Sequence, residues 1–141
     1  MKRFLSPLPI IPEKGLTAIR ILVGVFMIYH GWEIFDTATM NDYLQWELFK
    51  QPTTGKFLVY LGKASELAGG LLLLLGLFTR IALIVLAGTM IYIAFIVGHG
   101  KIWYEDQYPF LFVVLFAVFF FTGAGKYSLD NLLFNKTGSG N

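Results

Sequence analysis

The chain alternates between long apolar stretches and short polar ones, a pattern typical of proteins that cross a membrane several times. A helix needs about 20 mostly apolar residues to span the bilayer core. Four stretches approach or exceed this length, at residues 16–35, 55–78, 80–98 and 106–124. Because only Thr79-Arg80 separates the second stretch from the third, these two helices must form a tight antiparallel hairpin. The pattern predicts an all-α integral membrane protein, folded as an antiparallel bundle of four transmembrane helices.

The polar segments suggest no linker and no second domain, so residues 1–141 are predicted to form a single membrane domain. Residues 1–14 are interpreted as a cytoplasmic arm on the membrane surface, because their three prolines disfavour a regular helix. Asp36–Thr54 is the longest predicted loop. Residues 125–141 are interpreted as a cytoplasmic tail that follows the last helix.

The composition fits a lipid environment. The chain is 56% hydrophobic and 14% charged, whereas a soluble domain carries about 25% charged residues. Its 14 Phe side chains cannot all be hidden in so small a core. A net charge of +2 without a dense run of Lys or Arg argues against nucleic acid as a partner. The absence of Cys excludes disulfides, thiolate metal sites and Cys-ligated iron–sulfur clusters.

The distribution of Lys and Arg predicts the orientation. With the N-terminus inside, seven basic residues lie on the cytoplasmic side and three on the opposite side. Cytoplasmic loops carry the excess of Lys and Arg in membrane proteins. We therefore expect both termini in the cytoplasm, with Trp32, Trp46 and Trp103 at the outer interface.

A few ionisable side chains interrupt the apolar stretches, and such residues mark function or obligatory pairing by default. His30 and Glu33 are three residues apart, as are Lys63 and Glu66, so each pair shares one helix face. If the second helix enters from the outer surface, Lys63 lies about 12 Å deep and Glu66 about 16 Å deep. The two faces are expected to meet in the outer half of the bundle. Together with His99 at the mouth of the third helix, they form the predicted ligand-binding set.

The charges of this set leave several interpretations open. The charges of Lys63, Glu33 and Glu66 sum to −1, so a proton on His30 or on one carboxyl group makes the set neutral. Such sharing is typical of proton-coupled chemistry or pH-sensitive binding. The alternative is structural: Lys63–Glu66 is an ion pair that fixes helix packing, Glu33 reaches interfacial water, and His99 is a hydrogen-bonded residue at the interface. No spacing supports a metal site, and none is predicted.

Three charged residues belong to the cytoplasmic end and are assigned a structural role. Arg20 lies about one turn inside the first helix and is expected to snorkel to the headgroups. Asp130 is the acidic residue of the tail, so a pair with Arg20 or Arg80 would lock the tail to the bundle. Ser128 is the expected N-cap of a short helix over Leu129–Phe134.

Three sequence blocks together resemble the DoxX family, in the family's order and over about the whole chain. They are Arg20…Gly24-Val-Phe…His30-Gly, then Glu66-Leu-Ala-Gly-Gly…Gly-Leu-Phe-Thr-Arg80, then Gly123-Ala-Gly-Lys-Tyr-Ser-Leu-Asp130. The resemblance implies a four-helix protein of the bacterial inner membrane. It also implies a link to respiratory, redox-stress or detoxification systems, through subunits similar to a thiosulfate:quinone oxidoreductase. Distant relatives act as assembly chaperones, which leaves the catalytic status open.

Two functions compete. The first is a redox-linked subunit that binds a quinone or other small amphiphile at the predicted set, with Phe26, Tyr29 and Tyr60 as aromatic neighbours. The sequence shows no electron carrier, so a redox reaction would need a partner protein or the bound quinone itself. The second is a non-enzymatic scaffold or assembly factor for a partner membrane protein. A transport function is less well supported, because the sequence shows no inverted repeat with broken helices. A homo-oligomer is compatible with either function.

Overall fold

A computed structural model describes residues 12–135, and every regular element in this part of the chain is helical. Short 3-10 turns occur at Glu33–Phe35 and Glu47–Phe49, and a π-helical turn, Ile93–Val97, continues the fourth helix. The helices are α1 (Pro12–Trp32), α2 (Thr37–Leu44), α3 (Thr54–Leu75), α4 (Thr79–Tyr92), α5 (Gln107–Thr122) and α6 (Leu129–Phe134).

Three helical segments are long and apolar enough to cross a membrane, namely Glu13–Phe35, Thr54–Leu75 and Thr79–Val97. Gln107–Thr122 is also apolar but has only 16 residues, which corresponds to about 24 Å of helix against a hydrocarbon core of about 30 Å. Large apolar side chains cover the outer faces of these helices. Their length, apolarity and lipid-like surface are those of a membrane protein.

The first helix begins earlier than the sequence pattern predicted. α1 starts at Pro12, so residues 12–14 of the predicted arm are helical. Proline is tolerated there because the first turn of a helix has no intrahelical partner for its N–H groups. The remaining parts of the predicted arm and tail, residues 1–11 and 136–141, lie outside the described residues.

The segment predicted as the longest loop contains a helix, α2, which the sequence analysis missed. Asp36 precedes it as the N-cap, and its carboxylate accepts hydrogen bonds from the Thr39 hydroxyl at 2.6 Å and the Ala38 N–H at 3.0 Å. These bonds lower the pKa of Asp36. Met40 and Phe49 from this segment bury their side chains against Val59 of α3. The segment is therefore packed onto one end of the bundle, called the α2 end below.

Helix α1 packs closely and antiparallel against α3, since Gly24 lies beside Leu74 whereas Gly31 lies beside Leu67. A Cβ atom on Gly24 would come within 2.8 Å of the Leu74 backbone nitrogen. A Cβ atom on Gly70 would come within 2.8 Å of the Ile28 nitrogen. Small residues allow such close backbone approach in membrane helices.

Helix α4 packs between α3 and α5. The main apolar core lies where these helices meet α1, and it fixes the mutual positions of the long helices. Its buried residues are Val23, Met27, Leu73, Leu83, Leu86, Met90, Phe116 and Phe119.

The opposite end of the bundle is closed by the segment after α5. Arg20 is only 2% exposed, and its guanidinium donates hydrogen bonds to the carbonyls of Ala124 and Tyr127. The Asp130 carboxylate accepts hydrogen bonds from the N–H groups of Phe78 and Thr79, at 2.7 and 2.9 Å. Phe78 is the N-cap residue of α4 and Thr79 is its first residue, and N–H groups at a helix start lack intrahelical partners. Asp130 therefore ties α6 to the start of α4.

This arrangement corrects two expectations. Within residues 12–135, no direct ion pair joins Asp130 to Arg20 or Arg80, although the charge of Asp130 acts on Arg20 from a longer distance. Arg20 does not snorkel, because it is buried and two of its guanidinium nitrogens bond to backbone carbonyls inside the fold, whereas Arg80 is exposed. The expected cap is confirmed: the Ser128 hydroxyl accepts a hydrogen bond from the Asn131 N–H at the start of α6.

Candidate functional site

A cavity of about 270 Å³ lies at the α2 end, between α1, α3, α4 and α5. The aromatic side chains of Tyr43, Trp46 and Phe49, from the α2 segment, form one of its walls. Most other lining groups are apolar, including Leu58, Val59, Met90, Ile93, Val97, Pro109 and Phe112. His30, Lys63 and Glu66 also line the cavity and give it one polar pole.

Lys63 is the centre of this pole. Its Nζ lies 2.8 Å from Oε2 of Glu33 and 3.0 Å from Oε2 of Glu66. Glu33 comes from the 3-10 turn after α1, whereas Lys63 and Glu66 lie one turn apart on α3. The antiparallel packing of α1 on α3 brings Glu33 to Lys63 and Glu66, so the two helix faces that were expected to avoid lipid meet each other. The ammonium group is therefore shared by two carboxylates, and these three side chains are called the charge cluster below.

Exposure rises steadily through the cluster towards its outer edge. The side chain of Glu66 is 3% exposed, that of Lys63 14% and that of Glu33 27%. Charge–charge interactions are strong where water is excluded, so the Lys63–Glu66 interaction is the least screened. Among the described residues, Oε1 of Glu66 accepts no hydrogen bond, although the side chain lines the cavity. This oxygen is available to a bound molecule.

Tyr43 connects the charge cluster to the α2 segment. Its hydroxyl donates a hydrogen bond of 2.7 Å to Oε2 of Glu33, and the centre of its ring lies 5.1 Å from Nζ of Lys63. Burial raises the pKa of Tyr43, and the hydrogen bond to Glu33 raises it further. Tyr43 therefore remains a protonated donor at neutral pH. Tyr43 is not among the residues predicted for the site, because it lies in the segment predicted to be a loop at the outer interface.

The two histidines have different positions. His30 lines the cavity, with Nδ1 3.9 Å from Oε1 of Glu33 and its side chain 48% exposed. His99 is exposed and does not line the cavity. Its backbone N–H donates to Asp106, which also accepts from the N–H of Lys101. The structure therefore brings four of the five predicted ligand-binding residues together and leaves His99 apart from them.

The aromatic neighbours named from the sequence are not those of the cavity. Phe26, Tyr29 and Tyr60 are exposed and do not line it. Three aromatic residues of the α2 segment line it, together with Tyr92, Tyr108 and Phe112. Helical spacing alone could not reveal this, because half of these residues come from a segment that lacks an apolar period.

A pair of hydroxyl groups was also missed. Ser65 Oγ lies 2.7 Å from Thr89 Oγ1, which joins α3 to α4 next to the cavity. Ser65 also contacts the carbonyl of Gly62, and Thr89 donates to the carbonyl of Val85. Only Thr89 of the two lines the cavity. Its hydrogen-bonding capacity is mostly satisfied, so the pair fixes the distance between the helices.

Within residues 12–135, no group of three or more His, Cys, Asp or Glu residues is arranged to hold a metal ion. The polar pole instead offers a carboxylate oxygen, an ammonium group and an imidazole to one face of an otherwise apolar cavity. This arrangement can hold the polar end of a small molecule while its apolar part contacts the walls.

Comparison with known proteins identifies the family. The model of the DoxX family matches residues 15–99. An uncharacterized protein of Haemophilus influenzae is 31% identical over 128 residues, which cover 86% of this chain and 92% of the relative. No solved structure matches the chain significantly. The family match covers more than half of the chain and includes Glu33 and the charged pair of α3. The chain belongs to the DoxX family, as its sequence blocks indicated.

Proposed function

We propose that this protein is a redox- or respiration-linked membrane subunit that binds a quinone or another small amphiphile in the cavity at the α2 end. The observation that carries this proposal is an apolar, aromatic-lined cavity with a single polar pole. An amphiphile has the matching distribution, with one polar end on an apolar body.

The size of the cavity supports a ring-sized occupant. Its volume of about 270 Å³ compares with about 150 Å³ for an engineered apolar cavity that binds benzene. One or two fused rings would therefore fit between the aromatic walls. The polar groups of Lys63, Glu66 and His30 can meet a ring carbonyl or hydroxyl group. Electron transfer would involve the bound ring and a partner redox protein.

The proposal includes a topology. We place the protein in the bacterial inner membrane with four spanning helices, antiparallel to one another, and with both termini in the cytoplasm. The excess of Lys and Arg at the end opposite α2 supports this orientation. The α2 end, with the cavity, then lies in the outer half of the membrane. Helix α5, with 16 residues, spans the core if the bilayer thins locally or if its flanks contribute.

Ligand extraction from the native protein tests this function. The protein is purified in a mild detergent, its lipid-soluble contents are extracted, and the extract is analysed by mass spectrometry. We expect a ring-containing amphiphile in the wild type and its loss in Glu66→Gln and His30→Ala. Glu47→Gln is a matched control, because Glu47 lies on the surface and pairs with Lys50. Extracts that contain only bulk phospholipid in all four proteins would refute the binding function and favour the scaffold alternative.

A further inference from the structure

We infer that the charge cluster is a charge filter, which admits amphiphiles with neutral or cationic headgroups and rejects those with anionic headgroups. This inference rests on the proposed function, since it assigns the chemistry of the molecule in the same cavity. It makes Glu33 a specificity-determining residue, although Glu33 does not line the cavity.

The positive charge of Lys63 is already engaged. Its ammonium group lies 2.8 Å from Glu33 and 3.0 Å from Glu66, within hydrogen-bonding distance of both carboxylates. An anionic headgroup would have to compete with two carboxylates for one ammonium group. The free oxygen of Glu66, which is next to the cavity, would repel it when Glu66 is ionised.

The total charge at the pole leads to the same conclusion. The other ionisable groups that line the cavity are His30 on α1, Tyr43 on α2, Tyr92 on α4 and Tyr108 on α5. With neutral tyrosines and neutral His30, the ionised cluster carries −1. One additional proton, on His30 or on a carboxyl group, brings the pole only to zero. In neither state does an anion gain a net positive partner that would offset its loss of water.

The aromatic walls favour the opposite charge. Tyr43, Trp46 and Phe49 lie together on the α2 segment, and the faces of aromatic rings attract cations. The ring of Tyr43 already lies 5.1 Å from the Lys63 ammonium group. A neutral donor headgroup or an ammonium group can bond to the free oxygen of Glu66 while its apolar part contacts these rings.

A ligand site inside a membrane must exclude the lipids that surround it. The bilayer surrounds the cavity with fatty acids and anionic phospholipids, and their apolar chains would suit its walls. Specificity often depends on repulsion of the wrong partner as well as attraction of the right one. In this protein the two carboxylates repel the anion. Glu33 acts indirectly: it pairs with Lys63, so the positive charge of Lys63 is neutralised and cannot attract an anion in the cavity.

Three probes with the same apolar body test the filter. They are 4-propylphenol, which is neutral, 4-propylbenzylamine, which is cationic, and 4-propylbenzoate, which is anionic. The protein is placed in phosphatidylcholine nanodiscs at pH 8, and binding is measured by calorimetry. Partitioning into empty nanodiscs is measured and subtracted for each probe. We expect the phenol and the amine to bind at least about tenfold more tightly than the benzoate. Repulsion between the benzoate and one net negative charge at the polar pole is large enough for a difference of this size.

The variants assign the filter to its residues. Glu33→Gln and Glu66→Gln should each reduce the ratio of the phenol affinity to the benzoate affinity by about tenfold, since each variant leaves Lys63 with one carboxylate. Glu47→Gln removes the same charge from the surface and should change nothing. If Glu66→Gln fails to fold, Glu33→Gln still decides, because the amide oxygen that it introduces can accept the Tyr43 hydrogen bond.

The possible failures are distinct. Equal binding of all three probes to the wild type would refute the filter and leave the amphiphile site intact. Selectivity against benzoate that persists in both Glu→Gln variants would show that other groups cause it, which also refutes the inference. No binding of any probe to the folded wild type would refute the proposed function itself.

Discussion

Removal of the Lys63 ammonium group should destabilise the protein, and the structure indicates how the cost is divided. In Lys63→Met, Glu66 stays inside the bundle with its side chain 3% exposed and loses its ion-pair partner. Breaking a buried pair by removing one partner costs about 3–5 kcal/mol. Glu33 is 27% exposed and keeps the hydrogen bond from Tyr43, so its contribution should be no more than about 1 kcal/mol.

We therefore expect Lys63→Met to lower the free energy of unfolding by about 3–5 kcal/mol, and by less if water reaches the site. The double variant Lys63→Met/Glu66→Gln should recover at least about 1 kcal/mol, because no buried charge then remains at position 66. Reversible unfolding by SDS in mixed micelles, followed by circular dichroism, measures these values. Lys50→Met is the control: it breaks an exposed pair with Glu47 and should cost less than about 1 kcal/mol.

The expected recovery requires energetic coupling between Lys63 and Glu66 on α3. If the costs of Lys63→Met and Glu66→Gln simply add in the double variant, the two residues do not stabilise each other. The 3.0 Å contact between Lys63 and Glu66 would then not contribute to the free energy of unfolding. In that case Glu33 alone would stabilise Lys63, and the ammonium group would not be shared by two carboxylates.

Three further outcomes are expected. In intact cells, an impermeant thiol reagent should label Gln45→Cys but not Lys126→Cys, and the reverse pattern would invert the proposed orientation. Gly70→Ala should lower the free energy of unfolding by at least about 1 kcal/mol, because its Cβ would come within 2.8 Å of α1 backbone. Gly88→Ala, which has no neighbour within 4 Å, should be neutral or stabilising in the same SDS assay. Asp130→Ala should cost about 1–2 kcal/mol there, because it leaves two N–H groups of α4 unpaired, and an unchanged value would contradict its capping role.

The sequence was informative where a feature depends on periodicity along one helix. Apolar stretches predicted the long helices, and the spacing of three residues placed Lys63 and Glu66 on one face of α3. The same reasoning for His30 and Glu33 required the two faces to meet, because neither could face lipid. The structure brings these four residues to one pole because α1 and α3 are antiparallel neighbours.

Features that depend on tertiary packing could not be predicted in this way. The α2 segment mixes polar and aromatic residues, and its order comes from burial of Met40 and Phe49 against α3. Tyr43 and Trp46 reach the cavity only because the segment folds back over the end of the bundle. In the sequence, His99 has the same place at a helix end as His30, but the residues after α4 form a loop in which Asp106 accepts its backbone N–H.

The order of residues along α3 explains why a cavity forms at this level of the bundle. Glu66 is followed three and four residues later by Gly69, which lies against α4, and Gly70, which lies against α1. A Cβ atom on Gly69 would lie 2.7 Å from the Leu86 side chain, and one on Gly70 would lie 2.9 Å from the Cβ of Met27. The helices therefore close tightly one turn beyond the buried carboxylate, and this closure forms the floor beneath the charge cluster. This floor keeps water away from the charge cluster on the side of Gly69 and Gly70. The charges of Lys63 and Glu66 therefore act on a molecule that enters the cavity.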